Sequence, residues 1–371
     1  MIPTHLFPTQ VIGSLPRPQA VLELLSRRGS MEPEAFQAAM DDAVRFAIRL
    51  QEIAGIDIVS DGEWRRSQYV DEYLDRIGGF EPVRRFEHAG ETKYTRVVVR
   101  RIEAGDPVFA SDAEFLARAT DRRTKFALPS PFLIAIRYWN KEYSAGAYPT
   151  YEHLMEHLAE ILAREARAIA GAGVDIVQID DPALTYFCDR GLMSGAGTHD
   201  ERLRRDWDAD RQVPAAIAAI NHIAEGLNVE THVHCCHSVY KRRADVVGDY
   251  KPLMPYLAGL RASRVNLEFA YQQTGDAGDL QLLPEHLNVG MGVVDVRGEK
   301  LQSVEEIASL AAAGAEQIGA HRIALNPDCG FAPNSAEPPT IDEAFEKLKR
   351  LAAAAAQLRE RYAGRGAATS R

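Results

Sequence analysis

The amino-acid sequence predicts an α/β protein folded as a (β/α)8, or TIM, barrel with a β-hairpin insertion near residues 78–107. Two observations lead to this prediction. Eight short segments rich in β-branched residues have near-continuous apolar character, which is typical of parallel strands buried on both faces. Amphipathic helical segments lie between most of them, and alternating strands and helices are the pattern of such folds. A doubly wound open sheet is the alternative.

The predicted strands are spread over nearly the whole chain. They are QVIGS (10–14), IDIVSDG (56–62), KFALPS (125–130), VDIVQIDD (174–181), NVETHVHC (228–235), VNLEFA (265–270), LNVGMGVVD (287–295) and RIALNPDCG (322–330). Helices are predicted over 36–55, 151–173 and 304–319, and each of these ends in a glycine, the residue expected at a helix C-cap.

Two segments interrupt the alternation of strands and helices. The stretch TRVVVRRIE alternates between apolar and polar residues, so residues 78–107 are predicted to form a hairpin beside the barrel mouth. The polar stretch 189–211 is predicted to be a loop with a short helix on the same side, which makes it a candidate lid. We find no repeat or linker, so residues 1–371 are expected to form a single catalytic domain.

Composition and charge argue against several classes of function. The net charge of −10 argues against a nucleic-acid partner, because phosphate binding requires a basic face. No run approaches the ~20 apolar residues that a membrane span needs. The N-terminus MIPTHLFPTQ has no basic region followed by an apolar stretch, so no secretory signal is expected. Four cysteines do not make a disulfide framework in so long a chain, and a cytoplasmic protein is predicted.

Potential metal ligands stand at the ends of three predicted strands: His234 and Cys236, Glu268, and Cys329. Imidazole, carboxylate and thiolate groups are a ligand set that zinc accepts. Residues i and i+2 of a strand face the same side, so His234 and Cys236 could bind one metal ion. Other registers within HVHCCH remain open, with Cys235 or His232 as ligands. Buried thiols beside a hydrogen-bonded histidine are the alternative that involves no metal.

Acidic residues occupy equivalent places at the ends of two other predicted strands. Glu63 and Asp180 are predicted to face a ligand, either binding an ammonium group or moving a proton. Asp61 and Asp181 are predicted to cap the segments that follow them. Ser14 ends the first predicted strand, where its hydroxyl and the nearby N–H groups could bind a carboxylate.

With these motifs in view, the chain resembles the catalytic domain of cobalamin-independent methionine synthase. The resemblance covers about residues 8–335 and rests on IGSLPRP, AGIDIVSDGEWRR, VQIDDPAL, HCCHS, NLEFA, GMGVVDVR and NPDCG. It implies a (β/α)8 barrel in which Zn²⁺ is bound by His234, Cys236, Glu268 and Cys329. It also implies that the amino group of homocysteine meets Glu63 and Asp180, and that its carboxylate meets the turn of Ile12, Gly13 and Ser14.

Three departures from the family pattern qualify that expectation. Arg297 stands where the family has a histidine thought to aid proton transfer, and we count it among the candidate catalytic residues. The motif D-E-P-A-L is D-D-P-A-L at 180–184. The 371 residues do not include the second, N-terminal barrel that helps full-length members to hold polyglutamylated folate.

The resemblance therefore implies a zinc-dependent methyltransferase that activates homocysteine as a zinc thiolate and methylates it to methionine. The methyl donor is expected to be a methylated corrinoid, carried by a protein, or methyltetrahydrofolate. The main alternative is a zinc-dependent thiol transferase with another substrate pair, such as an epoxide–coenzyme M transferase. A structural zinc site in a binding module and a metal-free decarboxylase barrel are the remaining alternatives. The sequence makes no prediction of oligomeric state.

Overall fold

The computed structural model describes residues 6–88, 91–103, 105–195, 203, 205–333 and 337–366. Its strands are β1 (Ile58–Val59), β2 (Phe80–His88), β3 (Glu91–Val98), β4 (Arg123–Pro129), β5 (Ile176–Asp180), β6 (Glu230–Cys235), β7 (Arg264–Glu268), β8 (Asn288–Val294) and β9 (Ile323–Pro327). Seven of these strands form one parallel sheet in the order β1-β4-β5-β6-β7-β8-β9. The order follows the chain, which is the topology of the predicted barrel.

The segment 9–10 joins the two edges of this sheet. Thr9 forms a parallel bridge with Leu325 of β9, and Gln10 forms one with Ile58 of β1. The sheet is therefore curled into a barrel, and the open doubly wound alternative is wrong.

The prediction of a regular strand over 10–14 is also wrong, because strand pairing stops after Gln10. Side chains take the place of a neighbouring strand: Gln178 Nε2 donates to the carbonyl of Ile12 (2.9 Å) and Ser60 Oγ donates to that of Gly13 (2.8 Å). The backbone of this segment is thereby turned into the barrel mouth.

Helices surround the sheet, and their buried apolar side chains belong to the same hydrophobic core as those of the strands. They are α1 (Gln19–Ser26), α2 (Pro33–Ala54), α3 (Asp71–Ile77), α4 (Ala110–Arg118), α5 (Pro131–Tyr138), α6 (Lys141–Ser144), α7 (Tyr151–Gly171), α8 (Arg190–Met193), α9 (Ala209–Ala224), α10 (Val304–Ile318) and α11 (Ile341–Gly366). The three predicted helices are confirmed as α2, α7 and α10. Gly55 ends α2 in the left-handed conformation (φ 89°), as its position predicts. None of the helices in the described residues is long and apolar enough to cross a membrane.

The predicted hairpin is confirmed as the antiparallel pair β2–β3. It lies at the barrel mouth, where Lys93 hydrogen-bonds to the Tyr240 hydroxyl and lies over its ring, 3.8 Å from the centroid. Arg96 ties the hairpin to α3 through Asp71 (2.9 Å) and Asp75 (2.8 Å). In the predicted lid, α8 and the start of α9 are present, whereas residues 196–202 and 204 lie outside the described residues.

Candidate active site

Three of the predicted metal ligands meet at the carboxyl ends of the barrel strands. One ligand atom from each of His234, Cys236 and Cys329 lies within 4.8 Å of the other two, and all three residues are buried. His234 lies near the end of β6 and Cys236 directly follows that strand, while Cys329 comes two residues after β9. The His234 ring lies beside the Cys236 thiol, and neither of its nitrogens pairs with an oxygen or nitrogen atom among the described residues. A buried imidazole whose polar neighbours are thiols fits a metal ion.

The two thiols of this group differ in their electrostatics. The Cys329 thiol hydrogen-bonds to Cys236, which lowers the pKa of Cys236 well below its usual range and raises that of Cys329. Burial lowers the pKa of His234, but the neighbouring charges of Cys236, Asp180 and Glu268 raise it to about 8. The group thus favours negative charge on sulfur, the form of cysteine that binds metals.

Glu268, the last residue of β7, lies close to this group but does not belong to it. Its side chain is buried, and both carboxylate oxygens have partners: Arg297 Nη2 is 2.8 Å from Oε1 and His237 Nδ1 is 3.2 Å from Oε2. Burial alone would raise the pKa of Glu268, but Arg297 and His237 lower it below its ordinary value. The carboxylate is therefore ionised and held by two neighbouring side chains.

A cavity of about 380 Å³ opens onto the candidate metal group. Its lining includes seven of the residues that the sequence singled out: Ile12, Ser14, Glu63, Asp180, His234, Cys236 and Cys329. Gly13, Glu268 and Arg297 are not part of the lining. The cavity has the dimensions of a small-molecule site, with buried polar groups at its inner end.

Glu63 and Asp180 bring two carboxyl groups to one part of this cavity. Burial raises the pKa of Glu63 to about 7, and the charge of Asp180 contributes to the increase. Burial also raises the pKa of Asp180, whose Oδ1 accepts a hydrogen bond from Gln178 Nε2 (2.7 Å). Glu63 Oε2 is buried without a hydrogen-bond partner among the described residues. Two desolvated carboxyl groups, of which Glu63 has one oxygen without a partner in the described part of the chain, suit a cationic ligand.

The backbone around Glu63 explains how its carboxyl group comes to face the cavity. Glu63 has φ +58°, an uncommon conformation for a residue with a side chain. Asp61 stabilises it by accepting a hydrogen bond from the Glu63 N–H (2.9 Å) within a turn, where the sequence predicts a helix start. Asp181 caps the short 3₁₀ helix 182–188 by accepting from the Ala183 N–H (3.1 Å), as predicted.

Ser14 lines the cavity and lies against the loop that follows β9. Its Oγ accepts a hydrogen bond from the Ala332 N–H (3.2 Å), and its carbonyl accepts one from the Phe331 N–H (2.9 Å). A side chain at Gly330 would overlap Ser14 Oγ, so glycine is needed for this close approach. The predicted turn of residues 12–14 is thereby fixed next to the loop that carries Cys329.

Sequence reasoning missed several residues of the site. Tyr69 lines the cavity, and its buried hydroxyl lies close enough to Asp180 and Glu63 for their charges to raise its pKa further than burial alone. His237 contacts Glu268, and Asp328 accepts three backbone N–H groups from residues 269–271. The motif HCCHS contains the signal for His237. No pattern in the sequence marks Tyr69, because a tyrosine in a polar loop is usually a surface residue.

The fold and the site together define a (β/α)8-barrel enzyme with a candidate His/Cys/Cys metal centre at the carboxyl ends of its strands. A family model described as the catalytic domain of cobalamin-independent synthase matches residues 7–357. The chain therefore belongs to the cobalamin-independent methionine synthase family, as the motifs predict.

Individual relatives agree with this assignment over most of their length. The methionine synthase of Pyrococcus horikoshii is 30% identical over 332 residues, which cover 88% of this chain and 86% of that protein. The methionine synthase of Sulfurisphaera tokodaii is 29% identical over 370 residues, or 97% and 95% of the two chains. Among solved structures, a B12-independent methionine synthase from Shewanella sp. W3-18-1 in complex with selenomethionine is similar, with a TM-score of 0.78 and 26% identity. The match covers 97% of this chain and 99% of that one.

Proposed function

We propose that this protein is a zinc-dependent methyltransferase that methylates homocysteine to methionine. One observation carries the proposal: a single cavity contains both a metal-type group of His234, Cys236 and Cys329 and the two carboxyl groups of Glu63 and Asp180. An aminothiol has a thiol that can bind the metal and an ammonium group that can bind the two carboxyl groups. The methionine synthases to which the chain is similar support the same substrate.

The ligand atoms present fit zinc. One imidazole and two thiolates are ligands of catalytic zinc sites, which keep a further position for substrate. Glu268 is the fourth ligand that the resemblance implies; its oxygens contact Arg297 and His237 and lie outside the group of three, so its side chain would have to move to reach the metal. When bound, zinc would lower the pKa of the substrate thiol, so that a nucleophilic sulfur is available near neutral pH.

The remaining residues of the cavity would bind and orient the amino acid. Glu63 and Asp180 would accept hydrogen bonds from the ammonium group, and the turn of Ile12, Gly13 and Ser14 would meet the carboxylate. Both ends of the substrate would then be fixed relative to the thiol. Such fixing lowers the barrier to an in-line attack on a methyl group, because orientation is established before the reaction.

The two acids also bear on the alternative substrate pair. A thiol that carries a sulfonate, such as coenzyme M, would need cations at the place where Glu63 and Asp180 lie. The epoxide–thiol transferase is therefore less favoured. Arg297 is buried against Glu268 and does not line the cavity, so we do not assign it a contact with either substrate.

The proposal extends to the setting in which the enzyme acts. We infer that the barrel acts as one catalytic domain, since its helices and strands pack around one hydrophobic core. We also infer a cytoplasmic location, because the four cysteines are free and buried, and two of them would need to stay reduced to bind a metal.

The test is methionine formation by the zinc-loaded protein with homocysteine, offering methyltetrahydrofolate and methylcobalamin separately. Turnover with either compound supports the proposal and identifies the donor class. Two controls define the site: Cys236→Ser protein, and 4-mercaptobutyrate, which has the thiol and carboxylate of homocysteine but no amino group. If homocysteine gives no product and binds no better than 4-mercaptobutyrate, the proposal is wrong.

A further inference from the structure

Arg297 makes a set of contacts that its place in the sequence does not predict. It follows β8 in the loop at the barrel mouth, and its side chain is completely buried. Nη2 donates to Glu268 Oε1 (2.8 Å) and to the carbonyl of Ser238 (2.6 Å), and the guanidinium lies over the ring of Tyr271, 5.0 Å from its centroid. An arginine cannot release its proton in a protein, so Arg297 does not act as a proton shuttle.

The second oxygen of Glu268 is held by His237. His237 Nε2 lies 2.9 Å from the carbonyl of Gly248, and because a carbonyl only accepts, Nε2 carries a proton. Its other ring nitrogen, Nδ1, lies 3.2 Å from Glu268 Oε2. The backbone of Glu268 is fixed as well, since its N–H donates to Tyr250 Oη (2.9 Å). Glu268 is thus held on both oxygens and at its backbone.

Arg297 is itself held by the loop that follows the metal-type residues of β6. Arg242 Nε donates to the carbonyl of Arg297 (2.8 Å), while Arg297 donates to the carbonyl of Ser238 in the same loop. Ser238 and Arg242 both have positive φ, 59° and 56°, so this loop adopts an uncommon conformation that needs such support. The loop also carries Ser238, Val239 and Tyr240, which line the cavity.

We propose that Arg297 is a positioning residue that competes with the metal ion for Glu268 and so keeps a coordination position available to the incoming thiol. The inference rests on the proposed zinc site. Because a buried ion pair with two further hydrogen bonds is costly to break, Glu268 would leave Arg297 only if the metal compensates. Compared with a site in which Glu268 is free to bind the metal, the protein should bind zinc more weakly, and the bound zinc should bind a thiol more tightly.

The test is a double-mutant cycle on zinc affinity, measured by competition with a chromophoric chelator. Arg297→Gln should tighten zinc binding by about tenfold, because Glu268 is released to the metal. In the Glu268→Gln background the same change should have an effect of at most about twofold. The loss of a positive charge near the metal would by itself tighten zinc binding equally in the wild-type and Glu268→Gln backgrounds. If the effect of Arg297→Gln on zinc affinity differs by less than about threefold between these two backgrounds, the inference is overturned.

Further measurements separate positioning from a merely structural role. In Co²⁺-substituted protein, the visible absorption reports thiol binding, and Arg297→Gln should raise the concentration of 2-mercaptoethanol needed for half the change. An unchanged or lower concentration contradicts the inference.

Arg297→Lys keeps the positive charge but lacks the planar guanidinium, so its zinc affinity should lie between those of the wild-type and Arg297→Gln proteins. It replaces Arg297→Gln in the double-mutant cycle if that variant does not fold. Arg65→Gln removes another buried arginine, paired with Asp41 outside the cavity (2.5 Å), and should leave zinc affinity unchanged. None of these measurements depends on methyl transfer, so failure to form methionine would count against the proposed function alone.

Discussion

The carboxyl group of Glu63 occupies the space that a side chain at Gly13 would need. A Cβ atom on Gly13 would overlap Glu63 Oε1 and lie 3.3 Å from its carboxyl carbon. The two residues are 50 positions apart in the sequence and belong to different parts of the predicted substrate site. The absence of a side chain at one therefore sets the position of the carboxyl group of the other.

Gly13→Ala should accordingly displace Glu63 from the cavity. We expect the KM for homocysteine to rise by about tenfold or more with a smaller change in kcat, because the altered contact binds the ammonium group rather than the reacting sulfur. Steady-state kinetics on zinc-loaded protein measures both values. Gly29→Ala, at a glycine whose Cβ would meet no atom within 4 Å, is the matched control. An unchanged KM in Gly13→Ala would show that Glu63 does not hold the substrate.

Asp180→Asn keeps the shape of the side chain and removes its charge. A hydrogen bond to a charged group contributes about 1.5–3 kcal/mol, so the KM for homocysteine should rise about tenfold to a hundredfold. Binding of 4-mercaptobutyrate, which has no ammonium group, should not weaken. Calorimetric titration of both thiols into each variant makes the comparison, and equal losses for the two thiols would remove Asp180 from ammonium binding.

The raised pKa of Glu63, about 7, predicts a pH dependence of substrate binding. Ammonium binding requires the ionised carboxyl group, so affinity for homocysteine should fall as pH decreases through about 7. Ionisation of the substrate thiol also makes the KM depend on pH, and this dependence remains in the Glu63→Gln protein. The difference between the two KM profiles from about pH 5.5 to 9 therefore isolates Glu63. Identical profile shapes would contradict the assignment.

The raised pKa of Glu63 also affects the free energy of unfolding. The pH dependence that it causes is opposite in sign to that of an acid whose pKa is lowered by an ion pair. Because the folded protein favours the neutral carboxyl group, Glu63 lowers the free energy of unfolding as pH rises from its ordinary pKa of 4.5 to about 7. Glu63→Gln should therefore raise Tm at pH 8, where the ionised group is buried, and leave it nearly unchanged at pH 4. Thermal melts at the two pH values provide the comparison.

Metal binding should depend on Cys236 and Cys329 and not on Cys235. Cys236→Ser and Cys329→Ser are each expected to lose most of about one bound zinc per chain, since zinc sites of this kind use thiolate ligands. Cys235→Ala, which alters a buried neighbour outside the group of three, should keep its zinc. Metal analysis after dialysis measures the stoichiometry. Loss of zinc in Cys235→Ala alone would favour the other register of the HVHCCH segment.

Local sequence patterns account for the elements whose residues interact mainly with their sequence neighbours. Helix α2 begins at a proline and ends at Gly55 because these conformational preferences act within a few residues. His234 lies in β6 and Cys236 directly follows it, and the alternation of side chains along an extended segment puts the two on one side. The segment 10–14 could not be predicted in the same way. Its carbonyls bond to Ser60 and Gln178, which are 47 and 166 residues away from their partners.

The sequence by itself determined the barrel, the family and the residues that could bind a metal or an ammonium group, because these depend on residue type, order and spacing. The tertiary structure decided which of them share one cavity. It placed Glu268 with Arg297 and His237 rather than within the group of His234, Cys236 and Cys329. Such choices depend on distances between strands and loops far apart in the chain, which no local sequence pattern specifies.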